Sequence, residues 1–107
     1  METPSHIVVF ITTGTGAEAQ QIATILLEQR QAACINIVPR VASRFWWENR
    51  LDDAEESLLI IKTKAARLTD IIRLVRENHS NTVPEIIAMP IIGGNPDYLA
   101  WLDREVT

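Results

Sequence analysis

Apolar side chains recur along this chain with two different periods, and the switches between them predict the order of elements. Ile7 to Thr12 is a continuous β-branched and aromatic run, the pattern of a strand buried on both faces. Thr13-Gly14-Thr15-Gly16 breaks the run and offers Thr15 as a helix N-cap. From Ala17 to Arg30, the residues Ala19, Ile22, Ala23 and Leu26 follow the i, i+3, i+4, i+7 spacing that lines one face of an amphipathic helix. Cys34 to Val38 returns to strand character, and Pro39 interrupts it as a bulge or edge position. Val41 to Trp47 then resumes, with Val41, Ser43, Phe45 and Trp47 on one side and Ala42, Arg44 and Trp46 on the other. Beyond the polar turn at Glu48-Asn49-Arg50, Glu56 to Thr63 is the partner strand of a hairpin. Leu68, Ile71, Ile72 and Val75 predict a second helix over Ala65 to Asn78, and Glu85 to Ile92 reads as a fourth strand. Gly93-Gly94 turns the chain, and Asn95-Pro96 supplies an N-cap and a first-turn proline for a last helix with Leu99 and Leu102 on its inner face.

The order β-α-β-β-α-β plus a C-terminal helix is an α+β, ferredoxin-like split βαβ arrangement, an antiparallel sheet with two helices on one face. No linker, repeat or low-complexity run divides residues 1–107, so a single domain is expected. The stretch from Cys34 to Trp47 is more than twice an ordinary strand of about 5–6 residues, so its distal half is expected to project as a two-stranded ribbon. That half carries Phe45, Trp46 and Trp47, and alternation sends neighbouring rings to opposite faces. One protomer cannot easily cover both, which predicts an oligomer with these three residues at its interface. The competing reading packs the Trp pair beneath the last helix near Trp101.

Composition narrows the partners. A formal net charge of -4 with scattered basic residues argues against nucleic acid and anionic membranes, both of which require clustered Lys and Arg. A lone cysteine, Cys34, fits a reducing compartment, and Met1 to Phe10 has no basic region ahead of its apolar run, so a cytoplasmic location is expected. Cys34 itself reads as a small core residue among apolar strand neighbours. Asn78-His79-Ser80 matches a glycosylation sequon, which has no meaning in the cytoplasm.

Five segments, AACINIVP (Ala32 to Pro39), FWWENRL (Phe45 to Leu51), LLIIKT (Leu58 to Thr63), VPEIIAMPI (Val83 to Ile91) and GNPDYLAWL (Gly94 to Leu102), resemble the CutA divalent-cation tolerance family in order and spacing. The resemblance implies a ferredoxin-like protomer in a stable homotrimer, a link to tolerance of copper and other divalent cations, and no enzymatic activity. A role in anchoring a membrane-bound esterase, connected with animal members, is not expected of this chain. The family pattern His-Pro-Tyr-Glu-Val-Pro-Glu before the fourth strand is HSNTVPE here, with Ser80, Asn81 and Thr82 in place of the proline, tyrosine and glutamate. Some members carry a cysteine late in the first strand as a proposed soft metal ligand. The matching residue is Thr12, so no thiolate-assisted copper site is expected there.

His79 and Glu85 are the candidate ligands for a divalent metal, Cu(II) or Zn(II), since imidazole and carboxylate both suit such ions. Two ligands do not close a tetrahedral site, so another subunit or water would have to complete it. The alternatives are a helix C-terminal cap for His79 and a solvated or interface carboxylate for Glu85. No cofactor is required. The Thr12–Gly16 loop lacks the lysine of a P-loop and reads as a capped turn. Two other functions stay open: a small-ligand or signalling module with clefts between subunits, and a phosphotransferase using His79 as nucleophile, which lacks a supporting basic cluster.

Overall fold

The computed structural model describes residues 4–107. Strand β1 (His6–Thr13) leads into α1 (Gly16–Glu28), then β2 (Cys34–Trp47), β3 (Arg50–Lys64), α2 (Leu68–Asn78), β4 (Ile86–Pro90) and α3 (Pro96–Glu105). The strands form one sheet in the order β2-β3-β1-β4, with every neighbouring pair antiparallel. This is the split βαβ topology expected from the sequence.

Local chemistry explains the ends of the elements. Thr15 caps α1 by accepting from the Glu18 amide at 3.1 Å, and Asn95 caps α3 by accepting from the Asp97 amide with Pro96 in the first turn. A 3-10 turn over Ala65–Arg67 precedes α2, so that helix starts three residues later than its apolar spacing suggested. The fourth strand is shorter than expected because only Ile86 to Pro90 pair with β1. Residues Glu48 and Asn49 both have positive φ, 49° and 63°, forming the two-residue turn whose twist suits a hairpin. With that tight turn, β3 begins at Arg50 rather than Glu56, and the ribbon stays paired to its tip.

The core lies on one side of the sheet. Val9 and Ile11 of β1 and Leu59 and Ile61 of β3 pack against Ile22 and Leu26 of α1 and Ile71 and Val75 of α2. Each such side chain stabilises the fold by about 1.5–3 kcal/mol on removal from water. β1 is not buried on both faces: Ile7, Val9, Ile11 and Thr13 are buried, while Val8, Phe10 and Thr12 between them stay partly exposed. The continuous apolar run reflects a second apolar face, not a second covering layer.

That second face holds Val8, Phe10 and Thr12 beside Leu58 and Ile60, with Ile87 and Met89 of β4 in the next rows. α3 covers one end of it, where Leu102 and Val106 are buried, Lys64 donates to the Val106 carbonyl and His6 pairs with Asp103 at 2.8 Å. Cys34 sits at this end too, opposite Lys62 in the ladder, and is only half-buried. The expectation that it belongs to the core is corrected by register, since Ile35 and Ile37 are the β2 residues that face the helices. Tyr98 of α3 stacks on Trp101 with ring centroids 5.5 Å apart, and its phenol is pushed above the ordinary range by desolvation and then by the neighbouring Cys34. The rest of the face is uncovered.

Candidate functional site

The ribbon and its bulge shape the main concavity. Val38 pairs with Leu58 but Val41 pairs with Glu56, so Pro39 and Arg40 together oppose a single β3 residue. Arg40 takes a φ of 61° to make the bulge. The extra residue shifts the parity of β2. Beyond it Val41, Ser43, Phe45 and Trp47 stand on the uncovered side of the sheet, and Ala42, Arg44 and Trp46 on the other. The aromatics remain open, with Phe45 37%, Trp47 46% and Trp46 71% exposed. Trp101 has Tyr98 as its partner, so packing of the Trp pair beneath α3 is not what the chain does.

A groove of about 900 Å³ runs between this ribbon and the segment that leads into β4. Thr12 and Gly14 form its floor at the end of β1, Phe45 and Trp47 one wall, and residues 80–85 the other. Glu55, Glu56 and Glu85 line it against one cation, Arg44, giving it an acidic balance. Such a surface favours cations, and the two aromatic faces can also hold a flat organic ligand. The glutamates of β3 went unnoticed in the sequence because nothing local links Glu55 and Glu56 to Glu85; only the long β2–β3 pairing swings them over the loop.

His79 is placed differently from the expectation for a ligand. It is the C-cap residue of α2, but its ring reaches back to β1 instead of bonding the last helical carbonyls. Nε2 lies 2.7 Å from the Thr12 carbonyl and Nδ1 accepts from the Asn81 amide at 3.0 Å, so the neutral tautomer carries its proton on Nε2. Its side chain is 0% exposed, with the nearest carboxylate Glu18 Oε1 at 3.7 Å from Nδ1. Glu18 Oε2 accepts from the Ser80 amide at 3.3 Å. Both ring nitrogens are therefore committed, and Glu85 is not among the partners of His79. A buried ring with both nitrogens in use is also poorly placed for attack on a phosphoryl group. Glu85 is exposed on the groove wall and forms no ion pair among the described residues. Among the described residues no three His, Cys, Asp or Glu side chains converge tightly enough to hold a metal within one chain. Thr15 confirms the capped turn, its hydroxyl engaged with the helix.

Residues 7–105 match the family described as CutA1 divalent ion tolerance protein. The rice protein named Protein CutA 1, chloroplastic, is 42% identical over 100 residues, which cover 94% of this chain and 56% of the rice protein. This chain thus spans little more than half the length of that relative. Among solved structures, the crystal structure of CutA1 from Oryza sativa superposes with a TM-score of 0.94 at 40% identity, covering 98% of this chain and 96% of that one. The structure of the periplasmic divalent cation tolerance protein CutA from Archaeoglobus fulgidus superposes with a TM-score of 0.93 at 39% identity, covering 95% of this chain and 99% of that one. No helix among the described residues is long and apolar enough to cross a membrane.

Proposed function

The chain belongs to the CutA1 divalent ion tolerance family, and on that premise we propose that it is a non-enzymatic homotrimer that binds or senses copper and other divalent cations. The observation that carries this reading is the acidic groove at the foot of a ribbon whose aromatic residues lack cover within one protomer. Three copies bury Phe45, Trp46 and Trp47 against neighbouring sheets and bring further donors to each groove. Glu85 supplies a carboxylate contact to the cation, and Glu55 and Glu56 add to the negative field of the groove. A metal at His79 would first have to displace the Thr12 or Asn81 bond, so His79 enters as the residue that shapes the loop.

Calorimetric titration with Cu(II) at neutral pH tests the site. Glu85→Gln and the double variant Glu55→Gln/Glu56→Gln should each weaken binding several-fold, and unchanged affinity in both would remove the groove from the proposal. Light scattering coupled to size exclusion tests the assembly, with a trimer expected and a folded monomer contrary. The compartment is part of the same proposal: the free Cys34 thiol fits a reducing cytoplasm, whereas the names of relatives include chloroplastic and periplasmic. Cell fractionation decides it.

The size of the groove and the flat faces of Phe45 and Trp47 favour a second reading, a small-ligand or signalling module. A thermal-shift screen of nucleotides and metabolites should then find one that raises the melting temperature.

A further inference from the structure

The groove wall is tied down by one buried ring, and that ring faces an unused acceptor. In the neutral form Nδ1 of His79 holds the Asn81 amide at 3.0 Å while Nε2–H donates to Thr12 at 2.7 Å. Glu18 Oε1 sits 3.7 Å from the same Nδ1, is buried, and has no hydrogen-bond partner. Its sister oxygen already holds the Ser80 amide. A leftover acceptor beside an occupied nitrogen is a costly arrangement unless a second state uses it.

We infer that His79 is a proton-operated latch on residues 80–85, with Glu18 as the acceptor of its protonated state. Protonation places a hydrogen on Nδ1, which can then no longer accept from Asn81. A small approach of ring and carboxylate converts the 3.7 Å separation into a charge-assisted hydrogen bond of about 2.8 Å, while the Thr12 bond is retained. One neutral backbone bond is exchanged for one ionic bond, and Asn81 is released toward solvent. Glu18 of α1 is the one carboxylate within 4.0 Å of a ring nitrogen among the described residues. Its other hydrogen-bond partners, the Thr12 carbonyl of β1 and the Asn81 amide, are uncharged, and Arg44, Glu55, Glu56 and Glu85 line the groove without pairing with it. Because Asn81 to Glu85 form one wall, releasing Asn81 in mild acid alters the groove on which the functional reading rests.

The test is hydrogen exchange of the Asn81 amide followed by NMR across acid pH, with no metal present, so that it reads the latch independently of cation binding. Protection present at neutral pH should be lost in a single step as the pH is lowered, while the rest of the fold stays protected. In Glu18→Gln, which keeps an acceptor for Ser80 but removes the charge, the loss should move to lower pH. In His79→Gln, Asn81 protection should show no such step. A flat Asn81 profile in the wild-type protein, an unchanged profile in Glu18→Gln, or global unfolding before protection is lost would each overturn the inference.

Discussion

The two faces of this sheet are made from neighbouring residues of the same strands, yet the chain closes only one of them. Leu59 and Ile61 are fully buried beneath α1 and α2, while Leu58 and Ile60, one position away, share the opposite face with Phe10 and an exposed Ile87. α3 is only long enough to cover the end near His6 and Cys34. A 107-residue chain has the apolar content for two covered faces but the helices for one and a fraction. The difference separates two roles: the helix-covered side stabilises the protomer, and the open side with its ribbon is the surface that the proposed assembly would cover.

Substitutions can break that division. Leu59→Ala should have the largest effect, lowering stability to chemical denaturation by about 2–5 kcal/mol through the lost contacts and the cavity left behind. Trp47→Ala should leave a folded protomer but weaken association by on the order of 2 kcal/mol, seen as a concentration-dependent shift from trimer to monomer in light scattering. If Trp47→Ala instead unfolded a monomer with no dependence on concentration, the assignment of the two faces would be wrong.

Smaller changes sharpen the same picture. Arg40 holds a φ of 61° at the bulge that sets which ribbon residues face the groove. Glycine tolerates that conformation, so Arg40→Gly should raise stability to chemical denaturation by up to about 1 kcal/mol without altering assembly. The smallest expected effect is at Tyr98, whose folded form keeps its proton to higher pH than the unfolded chain does. Its contribution is therefore fully present below the ordinary phenol range near pH 10 and disappears as pH rises through the elevated folded value. Tyr98→Phe should flatten the alkaline decline in stability. Because the chain has one tyrosine, ultraviolet titration of the phenolate reads that residue directly.

How far the site could be read in advance follows from the range of the contacts that make it. Phe45 and Trp47 were assigned to a common side by alternation alone, and Thr15 and Asn95 were recognised as caps because an N-cap bonds within three residues. His79 was singled out as a ligand candidate on residue type, with a helix C-cap as the alternative, and it does stand at the C-cap of α2. Besides the local Asn81 amide, its ring meets Thr12, 67 residues away, and Glu18 on a helix near the other end of the chain, contacts that no spacing reveals. Cys34 was placed in the core because its neighbours are apolar, but a strand's face is decided by the partner it pairs with.

Residue type and spacing by themselves determined the elements, their order, the projecting ribbon and its aromatic cargo, since these depend on contacts a few residues apart. Tertiary structure alone decided which face each strand presents, because one extra residue at Pro39-Arg40 reverses the parity of everything beyond it. It also decided that Glu55, Glu56 and Glu85 share one groove and that the His79 ring is held from both sides. Register and long-range hydrogen bonding are properties of the folded pairings, and no local pattern along the chain encodes them.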